Sequence, residues 1–126
     1  MGCVYVELFV DDFGKVIEFY KMLGFSPHLS NDYLVMKKDE DNIRFYKGNK
    51  ENYVHPYFGN FPDDLKRGHA VEIVIFVDDV EKLYHELKDK VNVVEKLKKK
   101  RWGATDFRVE DPFGFYLRIT SPDSCG

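Results

Sequence analysis

Two carboxylates stand in segments that alternate like β-strands, and their residue types and positions suit them to chemistry. Glu7 lies in "VYVELFV" and Glu72 in "AVEIVIFV". Successive side chains of a strand point to opposite faces, so Glu7 shares a face with Tyr5 and Phe9, and Glu72 shares one with Phe76. A carboxylate on such a face needs a partner. It can accept a cationic group of a ligand, pair with an arginine, or exchange protons beside a tyrosine hydroxyl.

Other chemistries have less support in the sequence. The four histidines do not form a pair at metal-ligand spacing, and His69, three residues before Glu72, falls on the opposite strand face. The two cysteines lie at opposite ends of the chain, and neither a Gly-x-Ser-x-Gly elbow nor a glycine-rich phosphate loop occurs. We therefore expect no catalytic nucleophile and no histidine-based metal site. The histidines are His28, His55, His69 and His85.

The segments that carry the two carboxylates belong to an internal repeat. "FVDD" occurs at 9–12 and again 67 residues later at 76–79, and an apolar i, i+3, i+4, i+7 stripe follows each copy. Asp12 and Asp79 occupy the position of an N-cap, whose side chain accepts a hydrogen bond from the first helical turn. The repeat therefore predicts the same strand–helix unit twice.

The remaining periodicity completes two βαβββ modules, an α+β fold of eight strands. Helices are predicted over 13–22 and 80–89. Strands are predicted over 3–10, 25–29, 33–37, 43–47, 70–77, 91–97, 104–110 and 115–120. This divides the single domain 1–126 into module one at 1–47, a linker at 48–68, module two at 69–120 and a tail at 121–126. The linker is either a functional loop or a crossover whose aromatic residues pack down.

Composition narrows the class of protein. The chain has 126 residues, 44% hydrophobic content, 33% charged content and a formal charge of −3. These values predict a soluble globular protein, with the cytoplasm as its location, and they argue against nucleic acid or a membrane as a partner. The basic run "KLKKKRW" at 96–102 is typical of a charged edge strand and its turn, because charge at a sheet edge blocks unwanted pairing.

The final third carries a family resemblance. The segment "RWGATDFRVEDPFGFYLRITSP", together with the repeat, resembles the vicinal-oxygen-chelate superfamily of glyoxalases, bleomycin-resistance proteins and dioxygenases, over residues 3–122. The signature "WG…F.V.DP.G" is most similar to the metal-free, bleomycin-resistance-like branch. The resemblance implies paired βαβββ modules whose sheets form a U-shaped cleft. It also implies a homodimer, and a ligand bound in that cleft.

Enzymes of this superfamily hold one divalent metal, and the resemblance assigns its four ligand positions. They fall on Tyr5, Arg44 (or Phe45 if the register slips), Glu72 and Arg118. Glu72 is the one ordinary ligand among them, because arginine is charged and has no free lone pair. A guanidinium 4 Å from a dication would cost roughly 8 kcal/mol at an effective dielectric of 20. We therefore expect no metal and no cofactor, and an ion pair between Glu72 and Arg118.

These inferences predict a metal-free protein that binds a small, partly planar molecule, with an antibiotic such as bleomycin as one candidate. No catalytic residue is assigned. The alternative is a lyase or dioxygenase-type enzyme with an altered active site. The predicted ligand-binding residues are the cleft-facing positions and the lone tryptophan, which the resemblance places near planar ligand groups. They are Tyr5, Glu7, Arg44, Tyr46, Glu72, Trp102 and Arg118.

Overall fold

A computed structural model of the chain describes residues 3–47, 56–62, 65–101 and 103–121. The chain divides into two compact units, Met1–Leu65 and Lys66–Gly126. Each contains one four-stranded sheet and one α-helix. No helix among the described residues is long and apolar enough to cross a membrane.

The first unit is a βαβββ module followed by a short 3-10 helix. Its elements are β1 (Glu7–Val10), α1 (Phe13–Met22), β2 (Ser26–Ser30), β3 (Tyr33–Lys38), β4 (Asp41–Lys47) and the 3-10 helix (Phe58–Asn60). The strands lie in the order β1-β4-β3-β2. The first and last strands of the module are parallel neighbours, and the other pairs are antiparallel.

The second unit repeats this topology. Its elements are β5 (Glu72–Phe76), α2 (Val80–Leu87), β6 (Asn92–Lys99), β7 (Thr105–Glu110) and β8 (Tyr116–Thr120), in the sheet order β5-β8-β7-β6. The α+β fold with two modules is confirmed, with eight strands in the described residues. The regular strand β1 is shorter than the predicted 3–10, and α2 ends at Leu87 instead of residue 89. A cleft shared by the two sheets stays a prediction.

Both helices begin at the predicted caps. Oδ1 of Asp12 accepts a hydrogen bond from the backbone N–H of Lys15 at 3.2 Å, and Oδ1 of Asp79 accepts one from Lys82 at 3.0 Å. Each bond satisfies one of the amide groups that a helix start leaves without an intrahelical partner. The repeated aspartates therefore position the two helices in the same way relative to the strands that precede them.

Each helix packs on one face of its own sheet. The Tyr20 ring of α1 lies 5.3 Å from the Phe45 ring of β4, and the Tyr84 ring of α2 lies 5.1 Å from the Phe107 ring of β7, between centroids. Phe45 and Phe107 are fully buried. Because side chains alternate along a strand, the neighbours of these phenylalanines point away from the α-helix of their own unit. We call this side of each sheet, which its α-helix does not cover, the helix-free face.

The described part of the linker packs on the helix-free face of the first sheet. The Phe58 ring stacks on Phe9 at 5.2 Å with an interplanar angle of 25°, and it also lies 6.5 Å from Tyr46. Tyr57 and Phe61 surround Phe58 with edge contacts of 5.0 and 5.7 Å. These aromatic residues pack down onto the sheet, as one of the two interpretations of the linker predicts.

The signature "DPFG" forms the turn between β7 and β8. Oδ1 of Asp111 accepts hydrogen bonds from the backbone N–H of Phe113 at 2.8 Å and of Phe115 at 2.9 Å. Gly114 has a φ of +91°, and a β-carbon there would lie 3.0 Å from the backbone nitrogen of Arg67. Glycine fits this position because it has no side chain and adopts positive φ readily. The most specific part of the family signature is thus a structural turn.

Candidate functional site

The helix-free face of the first sheet carries a polar cluster built on β1, β3 and β4. Arg44 stands opposite Glu7 in the parallel pairing and opposite Val35 in the antiparallel pairing. Phe45 is fully buried on the other face. Of the two residues that the sequence left open for this position, Arg44 is therefore the one on the helix-free face.

Arg44 is held on three sides by polar and aromatic groups. Its guanidinium carbon lies 3.9 Å from the centroid of the Tyr5 ring, a cation–π contact. Its Nε donates to Oδ1 of Asn42 at 3.0 Å. The Tyr33 hydroxyl is hydrogen-bonded to the Glu7 and Arg44 side chains. A ligand at this surface would meet a cation whose orientation is already set.

The Tyr33 hydroxyl links the two charges of this cluster. Burial raises the pKa of Tyr33 above its ordinary 10.0, and the hydrogen bond to Glu7 raises it further, while Arg44 opposes the shift. The hydrogen bond with Tyr33 in turn raises the pKa of Arg44. At neutral pH Tyr33 is therefore a neutral donor to Glu7, and Arg44 is a cation.

The helix-free face of the second sheet carries an ion-pair cluster. Oε1 of Glu72 lies 3.1 Å from Nε of Arg118, as the sequence predicts, and Oε2 lies 3.5 Å from Nε of Arg108. Arg108 and Arg118 are directly opposite each other on β7 and β8. One carboxylate thus bridges two arginines that would otherwise repel each other.

Further charges extend this cluster toward the edge strand β6. Oε2 of Glu95 accepts a hydrogen bond from Nη1 of Arg108 at 3.1 Å, and its other oxygen pairs with Lys100. The resulting chain of ion pairs alternates in sign from Lys100 to Arg118. Three cations and two carboxylates belong to it.

A third acidic residue lies on the same face without a bonded partner. Asp106 is two residues before Arg108 on β7 and opposite Thr120 on β8. Its side chain is fully buried, and neither carboxylate oxygen has a hydrogen-bond partner in the part of the chain that the structure describes. The Nε atoms of Arg108 and Arg118 are likewise buried without a hydrogen bond of acceptable geometry. An unpaired buried polar group destabilises a fold, so this face is not optimised for stability alone.

A divalent metal does not fit the four ligand positions that the family resemblance assigns. In the first unit the Arg44 guanidinium lies over the Tyr5 ring, and in the second unit Arg118 forms an ion pair with the Glu72 carboxylate. Among the described residues, no group of three or more His, Cys, Asp or Glu side chains could hold a metal ion. Arginine has no lone pair to donate. The donor set therefore does not fit a dication.

Within each unit, the structure brings predicted site residues together. Glu72 lies with Arg118 in the second unit, and Tyr5, Glu7 and Arg44 lie together in the first. Tyr46 lies beside them as an aromatic neighbour of Phe9, at 5.1 Å between ring centroids. Two predicted residues, Trp102 as a ligand contact and His55 as a residue without a metal role, lie outside the described residues. His28, His69 and His85 are exposed.

Five residues of these clusters were missed by sequence reasoning: Tyr33, Asn42, Glu95, Lys100 and Arg108. Tyr33, Glu95 and Arg108 are polar residues at alternating positions in predicted strands, whereas Asn42 and Lys100 lie outside the predicted strands. The alternation of side chains along a strand could have found the residues that lie in predicted strands. Arg108, for example, is two residues from both Asp106 and Glu110 and therefore shares their face. Alternation alone does not say which strand is the neighbour of a given strand. For Arg108 that information comes from the pairing of β7 with β8.

Comparison with solved structures shows the same fold elsewhere. A protein of unknown function from Agrobacterium tumefaciens str. C58 superposes with a TM-score of 0.77 at 19% identity, over 96% of this chain and 94% of that chain. TioX from Micromonospora sp. ML1 gives a TM-score of 0.67 at 18% identity, over 95% of both chains. At these identities the likeness is one of fold alone.

A third solved structure carries a family name. A member of the glyoxalase/bleomycin resistance protein/dioxygenase superfamily from Sphaerobacter thermophilus DSM 20745 gives a TM-score of 0.68 at 19% identity, over 96% of this chain and 98% of that chain. A search of curated protein sequences found no match. The family model for this superfamily matches residues 2–119, nearly the whole sequence. The chain therefore belongs to the Glyoxalase/Bleomycin resistance protein/Dioxygenase superfamily.

Proposed function

We propose that this protein binds a small, partly planar organic molecule and does so without a metal ion. The binding surface is the helix-free face of each sheet, where the polar clusters lie. Antibiotics of the bleomycin kind are one candidate class of ligand. No group in either cluster is assigned a catalytic role.

One observation carries the proposal. Arg44 and Arg118 occupy equivalent places in the two units. Arg44 is opposite Glu7 and contacts Tyr5, two residues earlier on the same segment. Arg118 is opposite Val74 and contacts Glu72, again two residues earlier. The positions at which metal-dependent relatives hold their ion therefore contain cation–π and ion-pair contacts. These contacts supply a flat aromatic surface, a carboxylate and oriented N–H donors, which are the groups that recognise polar aromatic molecules.

A thermal-shift screen in the presence of a chelator tests this function. We expect at least one antibiotic or aromatic metabolite to raise the unfolding temperature, since a ligand at 100 times its dissociation constant adds about 2.7 kcal/mol to the free energy of unfolding. Arg44→Met and Arg118→Met should each weaken the response to that molecule. Stabilisation by divalent metals alone, or about one transition metal per purified chain by elemental analysis, would contradict the proposal.

The alternative function is that of a lyase or dioxygenase-type enzyme of the same superfamily. The observation in its favour is Glu72, a carboxylate retained at one inherited ligand position and 35% exposed. This alternative requires a metal at a site where Arg118 now contacts that carboxylate. Turnover that depends on an added metal and is lost in Glu72→Gln would favour the enzyme over the binding protein.

A further inference from the structure

The arrangement of Glu72 between two arginines resembles a bound ligand more than a packing contact. Its two oxygens face the Nε atoms of two different side chains, Arg118 at 3.1 Å and Arg108 at 3.5 Å. Guanidinium and carboxylate groups bind each other most strongly through paired, parallel hydrogen bonds. Within the described ranges, neither Nε makes a hydrogen bond of acceptable geometry, although both atoms are buried. The arginines are thus poised for a carboxylate, and Glu72 satisfies them incompletely.

The three side chains also differ in how deeply they are buried. The side chain of Arg108 is 14% exposed and that of Arg118 is 26% exposed, whereas that of Glu72 is 35% exposed. Glu72 is therefore the member that solvent reaches first. Rotation of Glu72 toward solvent would return its own carboxylate to water, and the two less exposed guanidiniums would then need another anion as a partner. Its departure would leave two adjacent guanidiniums, with Glu95 bound to Arg108 and with Asp106 two residues before Arg108 on the same face.

We propose that Arg108 and Arg118 together bind the carboxylate of a small-molecule ligand. Without the ligand, the Glu72 carboxylate occupies this site, and the ligand displaces it on binding. This inference rests on the proposed small-molecule binding function and names the chemical class of the ligand as a carboxylate. Arg108 becomes a ligand-binding residue that the family resemblance does not identify. Glu72 lowers the affinity for carboxylates by competing with them.

The test uses benzoate as the probe and the full chain with Glu72→Ala. Removal of the competing carboxylate should lower the dissociation constant for benzoate at least about tenfold, as measured by titration calorimetry. Arg118→Met in the Glu72→Ala background should abolish the gain. Benzamide, which has the same ring without the charge, should bind wild type and variant alike. If Glu72→Ala does not fold, Glu72→Gln should show the same direction of change while retaining the shape of the side chain.

Glu110→Ala is the matched control. Glu110 belongs to the same sheet face, but it pairs with Lys66 at 3.3 Å and not with either arginine, so its removal should leave benzoate affinity unchanged. Equal benzoate affinity in wild type and Glu72→Ala, or a gain that survives Arg118→Met, would overturn the inference. A neutral ligand from the screen that binds wild type would leave the proposed function standing even in that case, so the two failures are distinguishable.

Discussion

Tyr33 shows how one hydroxyl sets the charge state of a polar cluster. It donates to Glu7 and accepts from Arg44, and its pKa is raised above 10.0 chiefly by burial. The folded state therefore holds this proton more tightly than the unfolded state does. Linkage makes the contribution of Tyr33 to stability complete below pH 10 and lost as the pH rises through the higher pKa of the folded protein.

We predict that Tyr33→Phe removes one high-pH titration step. A difference titration of tyrosinate absorbance between wild type and variant should place the missing step above 10.0. The free energy of unfolding of wild type should fall more steeply above pH 10 than that of the variant, because only wild type loses this contribution. A missing step at or below 10.0 would show that Tyr33 does not make the hydrogen bond to Glu7.

The buried side chain of Asp106 is expected to lower the stability of the folded state. Its carboxylate is fully buried and has no hydrogen-bond donor among the residues that the structure describes, which is unfavourable. We predict that Asp106→Asn, which keeps the shape and removes the charge, raises the free energy of unfolding by at least about 1 kcal/mol. Thermal unfolding should show a midpoint roughly 2–8 °C higher.

The control for Asp106 is the same chemical change at a paired acid. Glu110→Gln replaces a carboxylate that has a partner, Lys66, and should not raise the midpoint. A lower unfolding midpoint for Asp106→Asn would mean that nearby charged groups stabilise the Asp106 carboxylate without a direct hydrogen bond.

At the scale of the element, the β7–β8 turn explains why the family signature is so well defined. Asp111 binds two amides of the turn, and Gly114 adopts positive φ against the chain at Lys66 and Arg67. These contacts require a short polar side chain and a residue without a side chain at fixed spacing. The signature thus reports a turn, and it carries no information on whether a metal or a ligand is bound.

We predict that Gly114→Ala destabilises the protein more than Gly103→Ala does. Both glycines have positive φ, which costs alanine about 1–2 kcal/mol. A β-carbon at Gly103 would meet nothing within 4 Å, whereas one at Gly114 would lie 3.0 Å from backbone atoms of two residues. The close contact should add roughly 1–3 kcal/mol. Equal losses in chemical denaturation would show that the turn can move away from the added methyl group.

At the scale of the whole molecule, the exposed apolar residues beside the edge strands suggest self-association. Val4 and Val6, just before the edge strand β1, are 96% and 55% exposed, and Val71 before β5 is 52% exposed. Exposed apolar groups at a sheet edge favour pairing with another chain. Symmetric pairing of two copies is the commonest way to cover such a surface.

We therefore predict a homodimer. Light scattering should give a mass of about twice 14.9 kDa, and the double variant Val4→Lys, Val6→Lys should be a monomer because two charges would have to be buried. Val94→Lys, on a similarly exposed residue of the charged edge strand β6, should remain a dimer. A stable monomer of wild type at micromolar concentration would rule out this mode of association.

The sequence alone determined the features of this protein that depend on neighbouring residues. The repeat at 9–12 and 76–79 predicted two strand–helix units, the aspartates predicted both helix starts, and alternation placed Glu7 and Glu72 on faces without a helix. These features follow from caps and periodicities that act over a few residues. The family resemblance likewise followed from a local turn, which the structure shows at Asp111–Gly114.

Only the tertiary structure decided which side chains meet. Arg108 faces Arg118 because β7 pairs with β8 in one register. Tyr33, Arg44 and Glu7 share one face because β3 and β1 both pair with β4. A shift of one residue would turn every side chain of a strand to the other face. Register is set by the packing of buried residues such as Phe45 and Phe107 against the helices, a long-range effect that no local pattern contains. The two arginine clusters are therefore a product of strand pairing, and the sequence could name their members only in part.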